Sequence, residues 1–273
     1  MARMAKKTPV TTTAKTVAKA ATKAPAKPAV ARKPSQSVAE GPLTPAELKA
    51  LVQLDTPTVC NALELLAPDR RARGFTVRTL QCPFPDVGSM VGYARTGTVR
   101  SIEPSGRGAE DRRLRLDYYR YVAEASGPTL SLLQDLDGPA AGFGSFWGEV
   151  HSAVHKALGS VGVVTDGSIR DIPQWAPGFG ALCAEIVPSH AWVHLVDFGG
   201  QVNIAGMIVR SDDLIHADRH GAVVIPSAAV ARRLPEAADA CARREKVILD
   251  VARGKGFTVA KLVAAIAKAD EIH

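Results

Sequence analysis

The chain has 273 residues, 46% of them hydrophobic, which suffices for one large domain or two small ones with an ordinary core. Its formal charge of +7 is lopsided: residues 1–41 hold seven lysines, two arginines and one acid, Glu40, for +8, and the remainder carries −1. The overall basicity therefore does not mark the folded part as a nucleic-acid-binding surface, and no apolar run approaches the ~20 residues of a membrane-spanning helix.

Cys60, Cys82, Cys183 and Cys241 are scattered without a CxxC pair, which excludes a zinc-finger or disulfide framework and favours reduced thiols. The amino terminus has no apolar secretory core, and its Lys/Ala/Pro composition differs from an Arg- and Ser-rich transit peptide, so a cytoplasmic location is expected. Residues 1–41 have too little apolar content to fold and are expected to form a disordered, solvated tail. Any contact with nucleic acid is expected through that tail alone.

Residues 42–273 read as one mixed α/β domain. Thr44-Pro45-Ala46-Glu47 combines a capping Thr, Pro at the first helical position and Glu where a capping box places it. A second helix follows with Thr56 as its cap and Val59, Ala62, Leu63 and Leu66 on its buried face. Sheet is expected within 84–100, an exposed loop over 101–111, helix over 113–125 and a buried strand over 128–134. Residues 135–144 (DLDGPAAGFG) form a glycine-rich loop whose backbone N–H groups suit an anion, although no Walker or GxGxxG pattern is present.

The stretch 148–171 organises the rest. Val150, Val154 and Leu158 fall on one helical face, Gly159 ends that helix, and Val161 to Val164 is a β-branched run expected as a buried strand. Thr165 to Asp171 then forms a turn at the strand's carboxyl end, where open α/β sheets place ligands. Arg170 suits an anion and Asp171 a divalent cation, although such a pair in a turn is also the pattern of a surface salt bridge. Short strands follow at 186–187, 192–198, 202–209, 214–215 and 222–225. Ser227 caps a long helix to about 251, and a last helix covers 259–269.

Gly148-Glu149-Val150-His151, the 22-residue step from Gly148 to Arg170, and Asp166-Gly167-x-x-Arg170-Asp171 together resemble the active-site signature of the class II pyruvate aldolases of the HMG/CHA type. Those enzymes cleave 4-hydroxy-4-methyl-2-oxoglutarate and 4-carboxy-4-hydroxy-2-oxoadipate, and their superfamily includes the regulator of ribonuclease activity A. The segment from His216 to Pro226 is similar to the family's AD-x-x-GVVVIP, and the resemblance spans about 43–256.

The resemblance implies an α/β/β/α sandwich assembled as a homotrimer or hexamer. It further implies that backbone N–H groups of Gly148, Glu149, Val150 and His151 hold substrate oxygens, that Arg170 binds the substrate, and that Asp171 binds Mg²⁺ or Mn²⁺. The activity implied is a lyase reaction: retro-aldol cleavage of a 4-hydroxy-2-oxo acid to pyruvate, with oxaloacetate decarboxylase activity beside it. Arg170 would neutralise developing charge, and a water held by Glu149 or by the cation would take the 4-hydroxyl proton. Asn61 departs from the family's Asp, and Arg219-His220 from its more acidic turn.

Other readings stand beside this one. A non-catalytic regulator binding a ribonuclease or helicase would need no acid at 171. His151 and His155, one turn apart, are two zinc ligands without a third, so His151 is expected at the pocket edge and His155 in solvent. Lys156 as a Schiff-base lysine competes with a solvent-facing one. His216 and Asp218 are either a surface pair or reach a neighbouring subunit, and Trp147, Trp175 and Trp192 are expected in the core or an interface.

Overall fold

The computed structural model describes residues 41–272, and the expected Lys-rich tail lies outside the described residues. Helix α1 (Pro45–Val52) opens with the full capping box: Thr44 N–H donates to Glu47 Oε2 at 2.7 Å, and Glu47 N–H donates to Thr44 Oγ1 at 3.3 Å. Helix α2 (Thr56–Leu66) is capped one residue earlier than expected, by Asp55, whose Oδ1 accepts from Thr58 N–H at 2.8 Å. Thr56 sits inside the first turn because a second carboxylate, Asp218 Oδ2, takes its N–H at 2.9 Å.

Strand β1 (Met90–Arg100) is the axis of the main sheet. It leads through α3 (Ala109–Ala123) to β2 (Thr129–Asp135), then through α4 (Glu149–Ala157) to β3 (Ser160–Thr165), all three strands parallel. The expected loop over 101–111 is shorter than read, since α3 already begins at Ala109. Next come β4 (Ser168–Ile169), β5 (Gly180–Leu182), β6 (Glu185–Ile186), β7 (His194–Phe198), β8 (Val202–Ile204), β9 (Met207–Val209), β10 (Leu214–Asp218) and β11 (Gly221–Ile225). Helices α5 (Ala228–Arg253), capped by Ser227, and α6 (Val259–Asp270) close the chain. The main sheet runs β11-β10-β1-β2-β3-β5, with β7 antiparallel along the far end of β1, and small pairs β4–β6 and β8–β9 stand outside it.

The two faces of this sheet are filled differently. Leu130, Leu132, Val164, Leu182 and Ile215 point to one face, where the buried Val202, Ile204, Met207 and Val209 of the β8–β9 pair cover them. On the other face, α1, α2 and α5 cover the β10–β11 side, and α3 and α4 cover the side of β2 and β3 through Tyr118, Val122, Leu133, Trp147 and Val163. The fold is thus mixed α/β, with helices, a curled central sheet and a small β layer. Among the described residues no helix is long and apolar enough to cross a membrane. All four cysteines are free thiols.

Three side-chain placements differ from expectation. Val150 is 68% exposed, and α4 buries Ser152 and His155 instead. His155 is fully buried, with Trp147 4.5 Å and Tyr118 5.6 Å away between ring centroids. His216 and Asp218 are also buried and serve as a docking post for α2: His216 Nδ1 lies 3.0 Å from Thr56 Oγ1, and its Nε2 lies 3.2 Å from the Leu51 and Leu54 carbonyls. They are not a surface pair.

Candidate active site

The start of α4 and the turn after β4 are joined by backbone. Trp147 bridges Ile169 in parallel register, and Arg170 N–H donates to Trp147 O at 2.9 Å. That contact presses Gly148 against the Arg170–Asp171 pair so closely that a Cβ on Gly148 would lie 2.5 Å from Asp171 Oδ2. Asp171 adopts the left-handed conformation (φ 57°), which short polar residues tolerate best after glycine. In that pose its Oδ2 accepts the N–H of Glu149 at 3.2 Å, capping a helix whose own capping position, Gly148, has no side chain for the task. Arg170 Nη1 lies 3.6 Å from Asp171 Oδ1, and both side chains are about one-third exposed: 35% and 31%.

A cavity of about 620 Å³ opens beside this junction, with Arg115, Phe146, His151, Arg170, His190 and Trp192 on its walls. Of the expected site residues, it brings together His151 and Arg170. Gly148, Glu149, Val150 and Asp171 are not part of its lining. His151 stacks on Phe146 with centroids 4.1 Å apart. Its imidazole is pushed down to about 3, first by burial and then by His155, Arg115 and Arg170, so it is neutral across the physiological range. His155 is pushed down to about 4 by burial, and its Nδ1–H donates to the His151 carbonyl at 2.7 Å. Trp192 is 61% exposed at the cavity rather than in the core.

The glycine-rich loop is already occupied by the protein's own carboxylates. Asp135 Oδ2 accepts from Gly142 N–H and Oδ1 from Asp137 N–H, while Asp137 Oδ2 accepts from Ser101 and Ile102. Asp166, in the turn ahead of Arg170, accepts the Asp135 N–H at 2.8 Å, and burial pushes its carboxyl up to about 6. These interlocked acids stiffen the floor under the Arg170 turn and leave the loop's N–H groups no place for a phosphate. Lys156 is exposed and donates to the Pro177 carbonyl. Asn61 is exposed on α2 and faces Glu245 of α5 at 3.5 Å, so the departure at that position does not touch this chain's cavity.

A cation must be matched to what Asp171 offers. One oxygen engages Glu149, the other is open apart from the loose Arg170 pair, and among the described residues no three His, Cys, Asp or Glu side chains gather as a metal cluster. A lone, part-exposed carboxylate suits Mg²⁺ or Mn²⁺, which keep most of their water, and does not suit zinc.

The model of the family described as RraA-like, Aldolase/RraA, matches residues 56–224, more than half of the chain and every element around the cavity. The chain belongs to the RraA-like family. That family contains both HMG/CHA-type aldolases and non-catalytic ribonuclease inhibitors. Among solved structures, an uncharacterized protein from Pseudomonas syringae pv. tomato str. DC3000 superposes with a TM-score of 0.64 at 20% identity, covering 86% of this chain and 100% of that one. Streptomyces coelicolor RraAS2, described as an unusual member of the RNase ES inhibitor RraA family, gives 0.56 at 21% identity over 76% of this chain and 96% of its own. At such identities the likeness speaks for the fold alone. No curated protein sequence matches the chain.

Two of the polar wall residues, Arg115 and His190, were not singled out by sequence. Arg115 sits in a helix with Arg112, Arg113 and Arg120, and no local pattern separates it from them. His190 lies in an irregular loop, and only the fold brings it to the same cavity as Arg115 of α3.

Proposed function

We propose that the chain is a divalent-cation-dependent carbon–carbon lyase that cleaves a 4-hydroxy-2-oxo dicarboxylate or tricarboxylate to pyruvate, with oxaloacetate decarboxylation as a side activity. The observation that carries this reading is Arg170 on the wall of a substrate-sized cavity, backbone-locked to a helix start whose cap is the adjacent, part-exposed Asp171. A family of mixed activities supports a lyase as one of its two known options.

The residues divide the chemistry between them. The planar guanidinium of Arg170 grips the substrate's 1-carboxylate in bidentate fashion and stays charged at every working pH. When the C3–C4 bond breaks, its electron pair passes to the pyruvate enolate, and the same guanidinium sits beside the oxygen where that charge collects. The 4-hydroxyl proton leaves to a water held by the exposed Glu149. Neutral His151 contributes a hydrogen bond rather than a charge. Asp171 is the residue that would hold Mg²⁺ or Mn²⁺ with its waters. Such a cation, when bound, supplies Lewis acidity toward the 2-oxo and 1-carboxylate oxygens. A cytoplasmic homotrimer or hexamer belongs to the same reading.

The test is pyruvate release from a panel of 4-hydroxy-2-oxo acids and oxaloacetate, with Mg²⁺ and with EDTA. Release that needs the cation is expected. Silence from every substrate in both conditions would return the chain to the regulatory branch of its family.

A further inference from the structure

The cavity beside Arg170 has a second cationic wall. One carboxylate and two guanidiniums line it: Asp111, Arg115 and Arg170. Asp111 is ion-paired within its own segment: Arg107 Nη2 lies 2.7 Å from its Oδ1, and Ser105 donates its hydroxyl to Oδ2. Arg170 has only the loose 3.6 Å pair with Asp171. Arg115 makes no salt bridge or hydrogen bond with any described residue. The lining therefore presents two incompletely compensated guanidiniums and no free carboxylate.

Their placement is the informative part. Arg115 comes from the second turn of α3 and Arg170 from the turn after β4, yet both line one cavity together with His151. His190 and His194 on the same lining are already tied to backbone: each places Nδ1 within 3 Å of a neighbouring carbonyl, fixing those nitrogens as donors. A cavity of about 620 Å³ is in the range of organic-acid and cofactor sites. An acid with one carboxylate satisfies one of its cations and leaves the other bare.

We propose that Arg115 is a specificity-determining residue that binds the second, distal carboxylate of the substrate, so that the cavity selects dicarboxylic over monocarboxylic 2-oxo acids. The identity of the substrate rests on the lyase reading; the two-cation subsite does not. The alternative for Arg115 is a solvated surface side chain with no ligand.

The experiment is calorimetric titration of the full chain, at low ionic strength with Mg²⁺ present, using pyruvate and 2-oxoglutarate as the one- and two-carboxylate probes. The parent should bind 2-oxoglutarate more tightly than pyruvate. Arg115→Gln should weaken 2-oxoglutarate about tenfold, ~1.4 kcal/mol, while pyruvate changes less than about twofold. Arg115→Lys should fall between, and Arg112→Gln, on the same helix but off the cavity, should change neither. Equal weakening of both probes, no weakening of either, or a parent that binds neither overturns the proposal. Selective 2-oxoglutarate binding that depends on Arg115, found in a protein that releases no pyruvate, would sink the lyase reading and leave the subsite standing.

Discussion

Replacing Asp171 separates two jobs that one carboxylate performs. In the structure Asp171 Oδ2 caps α4 through the Glu149 N–H, and the residue occupies left-handed backbone space. Asp171→Ala removes the cap, at about 0.5–2 kcal/mol, and puts a residue with no polar side chain where Asp is favoured, at ~1 kcal/mol more. For a domain of this size that sum lowers the melting temperature by roughly 5 °C. Asp171→Asn keeps an amide oxygen for the cap and tolerates the same backbone, so its loss should stay under ~1 kcal/mol, mostly the weaker interaction with the helix dipole. Activity should divide the variants differently. If Asp171 also holds the cation, both lose at least ~100-fold in pyruvate release, because an amide is a poor ligand for a hard cation. The assays are thermal melts and Mg²⁺-dependent turnover on both variants. An Asn variant that melts like the parent and turns over near the parental rate shows that Asp171 is a cap and nothing more. An Ala variant with an unchanged melting temperature refutes the cap itself.

The remaining predictions use the same assays. Gly148→Ala should cost about 1–3 kcal/mol and most of the turnover, since its Cβ would sit 2.5 Å from Asp171 Oδ2 and push the carboxylate off the helix; an unperturbed melt would contradict that close approach. Arg170→Lys should fold normally yet raise KM and lower kcat together, because an ammonium cannot reproduce a two-pronged grip, and parental kinetics would remove Arg170 from the substrate site. His155, held neutral at about 4 by burial, makes stability pH-dependent: the unfolded imidazole takes up a proton near pH 6.5 that the folded one refuses, so stability is lost as pH falls from there toward 4. By pH 4.5 that loss is on the order of 2–3 kcal/mol, and urea midpoints at pH 7 and 4.5 should converge in His155→Leu by about that amount. Parallel pH profiles for the two proteins would mean that His155 does not titrate as its burial dictates.

Local patterns survived into the structure wherever a segment's own residues decide the outcome. The capping box at Thr44–Glu47, the cap at Ser227, the left-handed Gly159 and the apolar strands β2 and β3 need no distant partner. Long-range partners explain the failures. Asp218, 162 residues away, binds the first turn of α2 beside the local Asp55 cap, and that contact turned a supposed surface pair into a buried post. Helix α4 was rotated relative to its Val150–Val154–Leu158 stripe because Trp147 and Tyr118 form an aromatic nest that accepts His155, a residue that hydropathy reads as polar. Spacing alone drew attention to Arg170, which does line the cavity, whereas Arg115 became visible only when the fold brought α3 to it.

The cap also bears on where a substrate anion sits. A helix amino terminus carries roughly half a positive charge, spread over a few N–H groups. Here Asp171 already answers that charge, and it takes the Glu149 N–H that a substrate carboxylate would otherwise use. A second anion at the same point meets a like charge and one fewer donor. The guanidiniums of Arg170 and Arg115 line the cavity without such competition: Asp171 is 3.6 Å from Arg170, and Asp111, the one carboxylate of the lining, is engaged with Arg107. Substrate carboxylates are therefore better matched to the two arginines, and the α4 terminus to holding Asp171 in place. On this view Gly148 matters less for admitting the substrate's oxygens than for letting the Asp171 carboxylate come close enough to cap.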